Sequence, residues 1–283
     1  MLPSSMQPTL WLFLRRKRKY AIDYFSRHIM PLLVSVDELT LLLEWHCDLL
    51  KSSLPLISDA LLISLNPRLR KLNYRGTIED LQRILSRPLR YNSNPPPNLT
   101  HLVISFQFYH QRSAIPIATI AVFLQSLEQT LESLSLRIPT AHTSILLELP
   151  HFPRLEHLDI RLDTYQISPE ASVAFASFLS THREYLRTLT LFIYPELSFG
   201  VQIYRDLCNI SFSFLHTLVL HRTQHFVEQT HAFPHVPRLQ SFVSGGRNLD
   251  KETMMKIRER TSPSQPTIVL RNPLDSNLDP QFW

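Results

Sequence analysis

Glycine is scarce in this chain of 283 residues, with Gly76, Gly200, Gly245 and Gly246 the whole complement. Loops that cradle phosphates need clustered glycines to bring backbone N–H groups close to the anion. Neither a dinucleotide fingerprint nor a P-loop can be written from this inventory, which removes many nucleotide-dependent enzymes. Cysteine is scarcer still: Cys47 and Cys208 lie far apart. A disulfide-held extracellular scaffold carries more, so both are read as reduced, buried thiols of a cytoplasmic or nuclear protein, and the sequons at Asn98 and Asn209 as incidental. No stretch reaches the roughly 18 consecutive apolar residues that a membrane span requires. The apolar run Leu10–Leu14 is shorter than a signal-peptide core and precedes its basic cluster, so neither a membrane nor secretion is expected. A strong charge imbalance is also missing, the net charge being +5. Five basic residues stand consecutively at Arg15, Arg16, Lys17, Arg18 and Lys19. They read as a solvated helix face, a nuclear import signal or a nucleic-acid contact. The near-neutral remainder argues against dedicated nucleic-acid binding.

What the chain has in abundance is leucine at fixed spacing. One phrase recurs: leucine, two variable residues, leucine, one variable residue, then another apolar residue. It reads LRKLNY from Leu69, LTHLVI from Leu99, LESLSL from Leu131 and LEHLDI from Leu155. It returns as LRTLTL from Leu186, LHTLVL from Leu215 and, more weakly, LQSFVS from Leu239. The steps between copies are 30, 32, 24, 31, 29 and 24 residues, too long for a coiled coil and regular enough to mark repeats. The predicted fold is therefore α/β: a leucine-rich-repeat solenoid with a curved parallel sheet on its concave face and helices on its convex face. Within each phrase the first, fourth and sixth residues face the core, and the third, fifth and seventh face the concave side.

Segments between the phrases carry helix signals. Phe123, Leu124 and Leu127 precede Leu131 at helical spacing, as Phe178, Leu179 and His182 precede Leu186 and as Leu61, Leu62 and Leu65 precede Leu69. Thr77 with Asp80 resembles a capping box, Ser168-Pro169-Glu170 a helix start, and Asp250 the cap of a last helix over Lys251–Arg260. Two 24-residue repeats turn into their strands through proline, in HFPRL and HVPRL, because proline fixes an extended approach. A final strand is expected at Thr267–Leu270. The organisation predicted is a poorly ordered basic segment over 1–30, a helical N-terminal cap or a remnant of a further helical domain over 31–60, the solenoid over 61–270 and a loose tail over 271–283. The leucine-dense text PLLVSVDELTLLLEWHCDLLKSSL, from Pro31 to Leu54, reads as one or two helices.

The phrases FLSTHREYLRTLTL, FLQSLEQTLESLSL and FPRLEHLDI resemble the irregular leucine-rich repeats of fungal F-box proteins, particularly those of mushroom-forming fungi. The resemblance covers roughly residues 61–270. It lacks the asparagine usual at the ninth place, where Thr77, Gln107, Pro139, Asp163, Tyr194 and Thr223 stand. It implies the substrate-binding part of an F-box-type ubiquitin ligase subunit, whose N-terminal F-box would bind a Skp-type adaptor. Here Leu2-Pro3 is followed by Ser-Ser-Met-Gln-Pro, and no F-box is legible. The box is lost, cut off, or reduced to a diverged remnant over Tyr20–Leu54, and no adaptor-binding residue is carried over. A protein-binding scaffold or regulator without a link to ubiquitin is the alternative.

No enzyme is predicted, and no cofactor or metal. His221 and His225 have helical spacing, but no zincin glutamate intervenes, and Pro234 separates His231 from His235. Trp45-His46-Cys47-Asp48 contains a thiol and an imidazole, yet sequence neighbours on a helix do not face one another. Ser135, His157 and Asp159 fall on neighbouring phrases without the glycines of an oxyanion hole. Recognition of a protein on the concave wall is the expected function. The third-place column begins with Lys71 and includes His157; the seventh-place column carries Arg75, Arg137, Arg161, Phe192 and His221. Arginine and aromatic residues most often carry interface energy, and arginine pairs bidentately with carboxylate or phosphate. An acidic or phosphorylated segment lying across Arg75, Arg137, Arg161 and Phe192 is the predicted ligand.

Overall fold

A computed structural model describes residues 9–14, 37–43, 68–90, 98–106, 118–139, 145–163, 169–193, 198–221, 226–227, 230, 232–245, 249–261 and 266–271. These residues form ten strands and five helices, a mixed α/β architecture in which the paired strands run parallel. The chain divides into two compact units, one of residues 1–136 and 148–154, the other of 137–147 and 155–283.

In the first unit β1 (Thr9–Leu14), β2 (Glu38–Leu43), β3 (Lys71–Gly76), β4 (His101–Phe106) and β5 (Ser133–Pro139, which runs into the second unit's residues) lie in chain order. Thr9 stands opposite Glu38, Glu38 opposite Lys71, and Lys71 opposite His101. Side chains alternate as a pleated strand requires: Leu72 and Tyr74 are buried, while Lys71, Asn73 and Arg75 are half-buried on the other face. Burying each such leucine contributes about 1.5–3 kcal/mol. Helix α1 (Ile78–Arg90) starts where the sequence signals it, with Thr77 Oγ1 accepting the Asp80 N–H at 3.2 Å. Its buried Ile78, Leu81, Ile84 and Leu85 occupy one face. The Tyr74 hydroxyl donates to the Thr77 carbonyl at 2.6 Å, joining β3 to the helix start. Burial first, then the nearby Asp80 and Glu79 carboxylates, raise that phenol well above its ordinary value. In α2 (Ala118–Ser126), Ile120, Phe123 and Leu124 are buried, followed by Leu127.

The second unit repeats the scheme with β6 (His157–Asp163), β7 (Thr188–Ile193), β8 (Thr217–His221), β9 (Ser241–Gly245) and β10 (Thr267–Arg271). Register aligns Leu158, Leu189, Leu218 and Phe242 on successive strands. Each is at most 1% exposed. Helix α3 (Pro169–His182) begins at the expected proline, and α4 (Ser198–Cys208) precedes β8. Helix α5 (Lys251–Arg260) is capped by Asp250, whose Oδ1 accepts the Thr253 N–H at 2.6 Å. That bond, with a lesser one to the Thr253 side chain, lowers the Asp250 carboxyl below its ordinary value. His182 is fully buried, and its Nδ1–H donates to the Phe178 carbonyl at 2.7 Å. Histidine thus takes the core place that Leu127 holds in the first unit.

Two parts of the predicted organisation need correction. Thr9–Leu14 lies in the segment expected to be poorly ordered, and Glu38–Leu43 in the segment expected to be a helical cap; both are strands. The reason is local. In ELTLLL, Leu39 and Leu41 satisfy strand alternation as well as they satisfy helical spacing, and β3 offers a partner edge in matching register. The helical phrase with Leu61, Leu62 and Leu65 falls outside the described residues, as does the tail beyond 271.

Candidate functional sites

Successive strands in both units start with the same backbone connection. At six of these starts the carbonyl of the second-place residue accepts two N–H groups from the next strand. In the first unit Asp37 O accepts from Arg70 and Lys71, Arg70 O from Thr100 and His101, and Thr100 O from Glu132 and Ser133, at 2.8–3.0 Å. In the second unit Glu156 O, Arg187 O and His216 O do the same with Arg187 and Thr188, His216 and Thr217, and Gln240 and Ser241. Side chains at equivalent places are therefore held about 4.8 Å apart, one strand spacing.

The non-core face of the second unit's sheet carries most of the predicted binding residues. Arg161 stands directly opposite Phe192 in register, and both are half-buried. The Arg161 guanidinium reaches Asp159 Oδ2 at 3.5 Å, so part of its charge is met within its own strand. Arg137, half-buried on β5, belongs to the same unit, as does His157, exposed at the start of β6. His221 ends β8 opposite Gly245. Arg75 lies in the first unit, opposite Ser105. Lys71 is not a bare cation there: its Nζ sits 2.9 Å from Glu38 Oε1. Asn73 donates to the same carboxylate at 3.3 Å and to Thr40 Oγ1 at 3.1 Å, which knits β2 to β3 across this face.

The residues weighed for catalysis do not form a triad in either unit. Ser135 belongs to the first unit, whereas His157 and Asp159 belong to the second, with Asp159 engaged by Arg161. Trp45–Asp48, His225 and His231 lie outside the described residues. Among the described residues no three His, Cys, Asp or Glu side chains are grouped to hold a metal ion. No helix among them is long and apolar enough to cross a membrane. Burial pushes the Cys208 thiol up to about 12, so it is overwhelmingly protonated and a poor nucleophile.

The first unit also contains an open pocket of about 530 Å³ that the sequence reading missed. Its wall comes from the starts of the strands: Asp37 and Glu38 before and on β2, Arg70 and Lys71 at β3, and Thr100 and His101 at β4. Thr130 and Glu132 follow at β5, and Arg154 closes the set. The signal that could have found it is the second-place column, which reads Asp37, Arg70, Thr100, Glu132 and was passed over for the third and seventh places.

Compared with known proteins, the chain matches no family model and no curated protein sequence.

Proposed function

We propose that this chain is a non-enzymatic protein-recognition module built on leucine-rich repeats, and that the non-core face of its parallel sheet holds the partner. The observation that carries the reading is the register that sets Arg161 opposite Phe192 on neighbouring strands of that face, with Arg137 in the same unit. A cation beside an aromatic ring, neither fully exposed, is the pairing that protein interfaces use as an anchor. The ligand class that fits is an acidic or phosphorylated protein segment, which guanidinium groups bind bidentately.

Of the two cellular roles implied above, β1 and β2 favour a scaffold or regulator over a ubiquitin-ligase subunit. Glu38–Leu43, inside the stretch where a helical F-box remnant was expected, is a strand that pairs with β3 through Leu39 and Leu41. The chain is accordingly expected to bind a Skp-type adaptor weakly or not at all. Co-purification of the two at micromolar concentration would restore the ligase role. A half-buried Cys208 thiol held protonated suits a reducing compartment, cytoplasm or nucleus.

The test is capture from an extract of the native host. Wild-type chain is compared with Arg137→Glu/Arg161→Glu and with Arg258→Glu, a control on the exposed last turn of α5. Loss of partners by the double variant alone, with its far-ultraviolet circular dichroism unchanged, supports the assignment. An unchanged partner profile with an intact fold removes this face as the recognition surface.

A further inference from the structure

The pocket at the strand starts of the first unit shares only Lys71 with the predicted sheet-face residues, and its charges are arranged in an unusual way. Asp37 and Arg70 occupy the second places of β2 and β3, the same relation that Glu156 and Arg187 hold on β6 and β7. Glu156 and Arg187 close an ion pair at 3.2 Å. Asp37 and Arg70 do not; the ion pair of that step is made one residue further on, between Glu38 and Lys71 at 2.9 Å. Glu132 and Arg154 likewise make no ion pair among the described residues. Beside the Glu38–Lys71 pair, four further charges, two of each sign, thus line one pocket without pairing with one another. Apart from Lys71, which is paired with Glu38, the lining between Arg70 and Glu132 is Asn98, Thr100, His101 and Thr130, with no carboxylate or guanidinium.

Along the strand starts the order is acid, base, neutral, acid at Asp37, Arg70, Thr100 and Glu132, and Arg154 adds a second base to the lining. The shared carbonyl bonds fix the spacing of the first four of these before any ligand arrives, so little ordering of the wall is needed on binding. A ligand with a single sign of charge meets two attractive and two repulsive groups. A ligand whose charges alternate in the complementary order meets four attractive ones. A volume of about 530 Å³ suits a ligand of peptide-fragment size.

We propose that this pocket binds a short peptide segment in which basic and acidic side chains alternate, its basic groups on Asp37 and Glu132 and its acidic groups on Arg70 and Arg154. Exposed pairs contribute little one by one, so recognition depends on the order of the charges and weakens with salt.

The experiment uses the full chain and three fluorescent pentapeptides of equal length: Lys-Asp-Gly-Lys-Asp, Lys-Lys-Gly-Lys-Lys and Asp-Asp-Gly-Asp-Asp. Fluorescence anisotropy at low salt should show the alternating peptide binding at least about tenfold tighter than either single-sign peptide, a difference of about 1.4 kcal/mol. Arg70→Glu and Arg154→Glu, both at exposed positions, should each weaken that binding severalfold or more. Arg187→Glu, on the other unit, should leave it unchanged. Equal or tighter binding of a single-sign peptide overturns the proposal. So does absence of binding up to about 1 mM, or indifference to both pocket variants. Because the probe is synthetic and the sheet face is untouched, failure here leaves the Arg137 and Arg161 test standing, and the reverse also holds.

Discussion

The two units start their strands with the same backbone bonds yet put different side chains to work there. In the second unit the adjoining acid and base, Glu156 and Arg187, close on each other at 3.2 Å. Of the residues just before its phrases, two are exposed aromatics, Tyr185 at 44% and Phe214 at 43%, and a third, Arg238, sets its guanidinium 4.7 Å from the Phe214 ring. In the first unit the equivalent acid is the shorter Asp37, the pair with Arg70 does not form, and the places before the phrases hold the polar Asn98 and Thr130. One edge satisfies its charges internally and shows aromatic surface. The other keeps its charges facing a pocket. An identical scaffold of carbonyl-to-amide bonds thus supports two surfaces that differ through a methylene and a few side chains.

The largest expected effect tests whether the units are equivalent inside. Replacing Leu72 or Leu102 in the first unit, or Leu158, Leu189 or Leu218 in the second, with alanine should destabilise the chain by about 2–5 kcal/mol in urea denaturation. These side chains are at most 4% exposed and take the same place in successive strands. If the leucines of one unit proved insensitive while those of the other did not, the two cores would not be built alike.

That core was the most readable part of the sequence, because the phrase fixes the strand, its register and its buried face together. The strands at Thr9–Leu14 and Glu38–Leu43 escaped because their first places fall on Gln7 and Val36 instead of leucine. The text around β1, QPTLWL, nonetheless parallels QPTIVL around β10, which the reading did assign to a strand. Leucine density near β2 fitted helix and strand alike, and only the partner edge decides between them. Caps were legible at Thr77 and Asp250 since they depend on neighbours three residues away. The pocket was not, for it assembles from residues some 30 positions apart whose pairing depends on side-chain length.

The caps give the next contrast. Thr77→Ala should cost α1 about 0.5–2 kcal/mol, with little dependence on pH because a hydroxyl cap carries no charge. Asp250→Ala should behave differently. Its carboxyl is held below the ordinary value in the folded chain, so its contribution is present above the unfolded value and fades as pH falls through the folded one. The gap in thermal midpoint between wild type and Asp250→Ala should therefore close under acid, while the Thr77→Ala gap persists. A gap at Asp250 that stays constant with pH would show that its backbone hydrogen bond does not depend on the charge.

Smaller still is the difference between the two acid–base steps. A double-mutant cycle on the half-exposed Glu156 and the exposed Arg187 should give a coupling of about 0.2–1 kcal/mol that shrinks with added salt. The same cycle on Asp37 and Arg70 should give a coupling near zero. Equal couplings would erase the distinction between the two edges and with it the reason for assigning the pocket a ligand of alternating charge.

Recognition through the sheet face is tested most directly by affinity. A partner captured by the wild-type chain is titrated against wild type, Arg161→Glu, Phe192→Ala and the control Arg258→Glu in one buffer. If Arg161 and Phe192 anchor the interface, each of their variants loses at least about tenfold in Kd, or about 1.4 kcal/mol, and the control does not. Equal affinities for all four folded proteins would contradict the account and move the interface off this face.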